Sequence, residues 1–326
     1  MYCYESGSTD PYYNLALEEY LLTARRSGDI LMLWQNYNTG VIGLNQNAEE
    51  EIDRSYVEEH GINVVRRKTG GGAVYHDLGN LNYSFISDLG DAAQLSIRRF
   101  TEPVCRALKS FGVDAETSGR NDIVIDGRKV SGVAQRISGD RILHHGTLLF
   151  CSDLGEVSRV LKADPEKFKS KSTKSVRSRV ANISEFLSES IRIEDFKQRL
   201  FAELSGDELI RQDITEEERC EVNALADSCY RSWEWNYGIS PAYSFSNRVR
   251  YPGGTLEVRA DIRGGRIQSI VFYGDFMALM PNTAASDRLK GVPFRRENVR
   301  EALSGLELDR LFGSICEDEI LDTMFA

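Results

Sequence analysis

No apolar run in this chain approaches the ~20 residues needed to cross a bilayer, so no membrane-spanning helix and no membrane partner are expected. Met1 to Pro11 lack the basic region and apolar core of a secretory leader, and none is expected. Cysteine is sparse. Cys3, Cys105, Cys151, Cys220, Cys229 and Cys316 include no Cys-x-x-Cys pair, which favours free thiols in a reducing cytoplasm over a disulfide frame or a zinc centre. Histidine is scarcer still, and of the 4 only His144 and His145 are adjacent, so a dedicated transition-metal site is not expected. Positive charge is in deficit, 40 Lys and Arg against 50 Asp and Glu, for a net charge of −10. That argues against a nucleic-acid partner, for which a basic face would be needed. Three familiar signatures are also missing: a Walker loop, a Rossmann glycine fingerprint and a hydrolase nucleophile elbow.

What is present is ordinary in bulk, with 41% hydrophobic and 28% charged residues over 326 positions. Such a chain can build one large domain with a small one appended, or two medium ones. Asp10-Pro11 ahead of Tyr12–Leu22 reads as an N-cap, a first-turn proline and an amphipathic helix. Ile30–Trp34 and Val41–Leu44 read as buried strands either side of a polar turn, and Glu49–His60 as a charged helix stopped by Gly61. Strands at 62–66 and Leu81–Ser87 follow, and the short turns between such runs suit antiparallel neighbours. Ala92–Phe111 reads as a helix, Val113–Thr117 as a strand, and Arg141–Phe150 as the last strand of a meander. Helices are expected at Glu194–Leu204 and Thr215–Tyr230, ahead of an aromatic cluster, Trp233 to Tyr237, that suits a packing plug. From about Tyr243 a new unit begins, with a hairpin around Gly264-Gly265 and helices at Asn298–Leu303 and Leu308–Phe312.

Between the strand at 62–66 and Asp77 stands the least ordinary stretch, Arg66-Arg67-Lys68-Thr69-Gly70-Gly71-Gly72-Ala73-Val74-Tyr75-His76-Asp77. A glycine triplet loses backbone entropy on folding, so it needs a reason such as positive φ or close backbone approach. Successive N–H groups of such a loop can cradle an anion, and Arg66, Arg67 and Lys68 would add charged donors. A glycine-rich hairpin with a solvated basic shoulder is the plainer alternative.

A second cluster lies at Ser118-Gly119-Arg120-Asn121-Asp122 and Asp126-Gly127-Arg128-Lys129-Val130-Ser131-Gly132, where Asp126-Gly127 marks a hairpin turn. Lys129 is either a solvated edge charge, the usual fate of lysine, or an ammonium aimed inward from a rigid strand. Asp122 on the companion strand is an oxygen ligand suited to Mg²⁺. His144-His145-Gly146-Thr147 again mixes polar side chains with a glycine, which in a strand often marks close approach. Residues 159–179 alternate serines with cations and bury little; a solvated loop is the plain reading.

Taken together, these segments resemble the lipoate–protein ligase A family, of the biotin and lipoate ligase superfamily. The resemblance rests on Arg66–Asn80, Ser118–Asp122, Lys129–Gly132, His144–Leu149, Ser175–Asn182 and Trp233–Pro241, in that order, and on the tail. It implies an α+β fold, a large catalytic domain over 1–242 with mixed, largely antiparallel sheets flanked by helices, and a small α+β accessory domain over 243–326. It also implies a two-step reaction, in which lipoate and Mg-ATP give lipoyl-AMP and pyrophosphate, and a lysine of an acceptor domain then takes the acyl group. Acceptors would be lipoyl domains of 2-oxoacid dehydrogenase complexes or the glycine-cleavage carrier protein.

By the same resemblance Arg67, Gly70, Gly71, Gly72 and His76 would line the lipoate pocket. Val74, Tyr75, Asn80, Asn121, Asp122, Ser175 and Arg177 would hold ATP or the adenylate, with Asp122 as the Mg²⁺ ligand, and Lys129 would be the catalytic residue. One departure is Lys68-Thr69, where relatives carry small serines; Lys68 tunes the charge there or faces solvent. Two other readings remain open: a cysteine-dependent octanoyl or lipoyl transferase using Cys151, and a lipoate-binding protein without catalysis. A cysteine closing an apolar strand is more often inert.

Overall fold

The computed structural model describes the chain apart from residues 47, 91–95, 120, 163–178, 207–209, 238–244, 264 and 326. Its strands are β1 (Tyr2–Glu5), β2 (Ile30–Trp34), β3 (Thr39–Ile42), β4 (Asn63–Arg66), β5 (Val74–His76), β6 (Asn80–Asp88), β7 (Glu116–Ser118), β8 (Asp122–Ile125), β9 (Arg128–Ser138), β10 (Arg141–Leu149), β11 (Ile210–Arg211), β12 (Phe245–Tyr251), β13 (Gly254–Arg263) and β14 (Arg266–Gly274). They form a mixed α+β architecture of three sheets. The large sheet runs β11-β1-β2-β6-β10-β9-β8-β7, with β1 parallel to both its neighbours and every other pair antiparallel. A small sheet, β4-β3-β5, covers part of one face, and β12-β13-β14 belongs to the C-terminal part.

Period-2 alternation decides what each face of the large sheet carries. On β6, Leu81, Tyr83 and Phe85 enter the main core with the helices Ile97–Ser110 and Ile193–Ser205. Asn82, Ser84 and Ile86 face the other way, toward the helix Pro11–Ala24 and the small sheet. On β10, His144 stacks on Phe100 in the main core, whereas Leu143, His145 and Thr147 share the second face. That second face is unusually polar for a buried surface, and the functional cavity lies on it.

Local signals account for several elements. The Asp10 carboxylate accepts the Tyr12 and Tyr13 N–H groups, and Pro11 opens the helix that follows. Asp126 and Gly127 both take positive φ, 50° and 72°, as the two-residue hairpin between β8 and β9 requires. Other expectations need correction. β2 and β3 are successive in the chain but lie in different sheets, and β3 pairs parallel with β4 and antiparallel with β5. Strand 41–44 is really Thr39–Ile42. The helix read at 49–60 is broken into Ala48–Glu51 and Arg54–Glu59, because Ile52 bridges to Leu161 and Asp53 caps a new turn at Tyr56. Sequence reading also overlooked β1, β5, β12 and the helices Thr283–Leu289 and Glu317–Phe325.

The C-terminal part has its own core and reaches the glycine loop through residues 274–279. The Gly274 N–H donates to the Asn45 carbonyl, Gly71 N–H to the Phe276 carbonyl at 3.2 Å, and Ile137 N–H to the Leu279 carbonyl at 3.1 Å. Among the described residues no helix is long and apolar enough to cross a membrane.

Candidate active site

Between the small sheet and the polar face of the large one lies a cavity of about 120 Å³. Apolar side chains, among them Leu15, Trp34, Val41, Ala73, Val74 and Ala134, supply much of its wall. Polar groups enter at defined places: Arg67, His76, Asn82, Asn121, Lys129, His145 and Thr147. The combination suits a mostly aliphatic ligand with a polar head.

Lys129 reaches this cavity because β9 is irregular. Ile123 pairs with Ser131 but Val124 pairs with Lys129, so one residue of β9, Val130, is extra. Such a bulge resets the alternation. Val130 joins Val133 and Ile137 in the main core, and Lys129 faces the cavity with Gly132 and Ala134. Without the bulge the lysine would share the face of Val133. Its ammonium lies 2.7 Å from the Asp122 carboxylate, both side chains about one-third exposed. A Cβ on Gly132 would come within 3.0 Å of Lys129 Nζ, so the missing side chain makes room for the ammonium. The backbone of Lys129 is tied down by Arg179 and Ala181: its N–H donates to the Arg179 carbonyl at 2.8 Å, and the Ala181 N–H donates back at 2.9 Å. Asn121, fixed by its bond to the Val133 carbonyl at 3.1 Å, completes this end.

The three cations before the glycines do not act alike. Arg66 does not line the cavity. Buried, it donates from its side chain to the carbonyls of Gly43, Leu44, Gln46, Trp235 and Asn236, and burial lowers its pKa to about 10. Lys68 neither faces open solvent nor enters the cavity: it pairs with Glu19 at 2.6 Å beside the rings of Tyr230 and Trp235. Arg67 alone reaches the cavity, its pKa lowered to about 10 by burial. Its Nη2 donates to the carbonyls of Gly70 and Gly72 at 2.7 and 2.8 Å, and its Nε to Thr69 Oγ1 at 3.0 Å.

The glycine loop is therefore not an open ring of N–H donors. Gly71, at φ 90°, gives its N–H to Phe276, and a Cβ on Gly70 would stand 2.8 Å from the Ala278 nitrogen and the Phe276 oxygen. Gly71 and Gly72 line the cavity, and Gly70 packs against the C-terminal part instead. Gly146 likewise has a packing reason: a Cβ there would come within 2.5 Å of the Tyr83 ring.

A buried relay backs the cavity, and sequence reading missed most of it. Glu18 accepts from Ser84 Oγ and from His145 Nδ1, the latter at 2.9 Å; His145 Nε2 lies 2.8 Å from Thr69 Oγ1, which also accepts from Arg67. Glu18 thus compensates the buried Arg67 guanidinium through His145 and the Thr69 hydroxyl. Glu18 carries no local motif beyond its place on the inner face of the first helix.

Of the remaining expected residues, Val74 lines the cavity, and Tyr75 lies on the outer side of the small sheet, where its hydroxyl donates to Asn38 at 2.9 Å and burial raises its pKa to about 12. Asn80 is wholly buried and donates to Asn82 Oδ1 at 2.9 Å, behind the cavity wall. His76 is buried in the wall, and burial, with Arg67 and His145 nearby, lowers its pKa to about 3. Ser175 and Arg177, with most of the basic stretch, lie outside the described residues. Cys151 is a free thiol just beyond β10 whose pKa is raised by partial burial and by Asp77 and Glu194. An activated nucleophile needs the opposite shift.

Among the described residues no three His, Cys, Asp or Glu side chains gather to hold a metal ion. Asp122, held against the Lys129 ammonium that lines the cavity, offers a carboxylate oxygen of the kind that would suit Mg²⁺.

A family described as the lipoyl protein ligase A/B catalytic domain matches residues 10–205, and one described as the bacterial lipoate protein ligase C-terminus matches residues 240–324. The chain is 41% identical over 322 residues to the lipoate-protein ligase LplJ of Bacillus subtilis, covering 97% of each. Among solved structures, P. falciparum LipL1 in complex with lipoate superposes with a TM-score of 0.80 at 25% identity, over 98% of this chain and 96% of that one. A lipoate-protein ligase A bound with ATP matches with a TM-score of 0.62 at 31% identity, over 72% and 97%. A bi-partite lipoate protein ligase from Thermoplasma acidophilum, described with its E2 lipoyl domain, gives 0.64 at 33% identity, over 75% and 98%.

Proposed function

Since the chain belongs to the lipoate–protein ligase family, we propose that its cavity activates lipoate with ATP and passes the lipoyl group to a lysine of a lipoyl domain. In the first half-reaction a carboxylate oxygen of the acid attacks the α-phosphorus of ATP. The α–β phosphoanhydride bond breaks, and pyrophosphate leaves with the electron pair. In the second, the unprotonated amine of the acceptor lysine attacks the acyl carbon, the acyl–phosphate C–O bond breaks, AMP departs with the electron pair, and the nitrogen gives up one proton to solvent to leave the amide.

The observation that carries this reading is the Lys129 ammonium, delivered by a β-bulge to one end of a cavity with largely apolar walls. Two anions must meet in the first step, and preorganised positive charge at that point is usually the largest catalytic contribution. The Asp122 carboxylate holds the ammonium in place before the polyanion arrives and would supply an oxygen to Mg²⁺ entering with ATP. Asn121 stands beside them as a neutral donor. Arg67, Gly71, Gly72 and His76 are assigned to the acyl chain, and Lys129, Val74, Asn121 and Asp122 to the adenylate. Ser175 and Arg177 retain the adenylate role that the resemblance gives them, whereas Tyr75 and Asn80 act from behind the wall. The division between catalytic and accessory parts is set at 242/243.

Acceptors are lipoyl domains of 2-oxoacid dehydrogenase complexes or the glycine-cleavage carrier protein, and six free thiols suit a reducing cytoplasm. The rival transferase needs a reactive thiolate at Cys151, against the direction of its pKa shift. An assay with lipoate and an acceptor domain, with and without Mg-ATP, tests the proposal on the wild-type protein and on Cys151→Ser. Ligation that requires ATP and survives Cys151→Ser is expected. Transfer that ignores ATP and is lost with Cys151 would overturn it, and lipoate binding without pyrophosphate release would leave a carrier.

A further inference from the structure

His76 has one ring nitrogen engaged and one that is not. Its Nδ1 lies 3.2 Å from the Asn36 amide, and its Nε2, buried in the cavity wall, meets no protein partner. Which nitrogen carries the proton follows from a chain of amides. Asn14 Nδ2 donates to the backbone carbonyls of Ser8 and Gln35 at 3.1 and 2.8 Å, which fixes that amide's orientation. Asn14 Nδ2 also lies 2.9 Å from Asn36, so the Asn36 atom facing it is the oxygen, and the Asn36 NH₂ faces His76. A donor facing Nδ1 makes Nδ1 an acceptor, and the ring is neutral, so the proton is on Nε2. The buried amides Asn14 and Asn36 therefore hold an N–H aimed into the cavity.

The sheet register shows which end of the cavity this is. Trp34, Asn82, Thr147 and Gly132 follow one another across β2, β6, β10 and β9. Gly132 sits at the Lys129 ammonium, whereas the His76 ring lies edge-on to Trp34, centroids 6.2 Å apart. Three strand spacings of ~4.8 Å separate these ends, about 14 Å in all. An extended medium-chain acid with its carboxylate at Lys129 would bring its far end to His76.

On the proposed ligase reading, on which this rests, we infer that Asn36 is a positioning residue for acyl selectivity: it fixes the His76 tautomer whose Nε2–H donates to a sulfur of the dithiolane ring. Sulfur is a weak, polarisable acceptor. A plain alkyl acid of the same length offers none and leaves a buried donor unpaired, a loss of the kind that makes polar sites discriminate. Of the other polar groups nearby, His145 is committed to Glu18 and Thr69, and Arg67 to Thr69 and the glycine carbonyls, while Asn82, one strand along from Trp34, keeps an unpaired Nδ2.

Two measurements test this without relying on ligation. Nitrogen-15 NMR of the histidines in the wild-type protein should find His76 protonated at Nε2; protonation at Nδ1 would overturn the assignment. Calorimetry should find lipoate bound more tightly than octanoate by roughly tenfold. In Asn36→Asp an acceptor replaces the NH₂, the proton moves to Nδ1, and the preference should collapse to within about twofold. A folded Asn36→Asp protein that keeps the full preference would overturn the inference. If that variant does not fold, His76→Phe, which removes the donor while keeping a ring, must abolish the preference instead. Should the wild type bind both acids yet release no pyrophosphate, the ligase reading fails while the tautomer and the binding ratio still decide this one.

Discussion

Gly132 and Lys129 are fitted to each other: a Cβ on the glycine would stand 3.0 Å from the lysine Nζ and 3.2 Å from Cε. The contact is with the flexible end of a side chain, so Gly132→Ala can be accommodated by moving the ammonium rather than the backbone. The expected result is a folded protein, melting within a few degrees of wild type, whose pyrophosphate release is slower by about 10²-fold, since a displacement of about 1 Å at a positioned group has that scale of effect. Unchanged turnover would mean that the ammonium's position is not what catalysis uses.

Asp122 faces Lys129 across the same gap, 2.7 Å away, with about one-third of each side chain exposed. At that exposure the pair contributes less than about 1 kcal/mol to stability. Asp122→Asn should therefore leave the urea midpoint nearly unmoved while raising the KM for Mg-ATP about tenfold. An unaltered KM would remove Asp122 from the nucleotide end of the site.

The glycine triplet offers a contrast within three residues. Gly70→Ala places a methyl 2.8 Å from backbone atoms of Phe276 and Ala278, whereas at Gly72 the nearest atom would be Asp275 Cβ at 4.0 Å. Gly70→Ala should loosen the C-terminal part, seen as faster limited proteolysis of the folded protein, and Gly72→Ala should not. Equal proteolysis of the two variants would contradict the packing assigned to the loop.

How much of this was legible beforehand varies by element. Asp10-Pro11 and Asp126-Gly127 act through atoms a few residues away, so the sequence displays their consequences directly. The partnership of β3 with β4 could not be read, because a short apolar run identifies a strand without naming its neighbour. Lys129 was singled out from its place by a turn, but what aims it inward is a one-residue bulge, invisible to any period-2 pattern. Glu18, Asn14 and Asn36 were missed because buried amides and carboxylates find their partners through the tertiary fold. Arg66 was read as a ligand donor because nothing in its local sequence distinguishes it from Arg67; only burial against five carbonyls does.

Burial of neutral His76 makes a pH prediction. Its pKa falls from 6.5 in the free side chain to about 3 in the fold. The unfolded chain takes up a proton as pH drops through 6.5 and the folded one does not, so this group's contribution is complete above that pH and is lost as pH falls toward 3. Between the two values the slope approaches about 1.4 kcal/mol per pH unit. Urea titrations from pH 6.5 to 5 should show a shallower loss of stability in His76→Gln than in wild type. Parallel slopes would contradict a neutral, buried ring.

The most direct test is pyrophosphate release by the wild-type protein and by Lys129→Ala, each with lipoate and Mg-ATP but no acceptor. The account predicts a lipoate-dependent burst in the wild type, with acyl-AMP recovered from the protein. In a folded Lys129→Ala protein it predicts a rate lower by 10²- to 10³-fold, about 3–4 kcal/mol of lost transition-state stabilisation. A wild-type rate in that variant, or no lipoate-dependent pyrophosphate from the wild type, would contradict it.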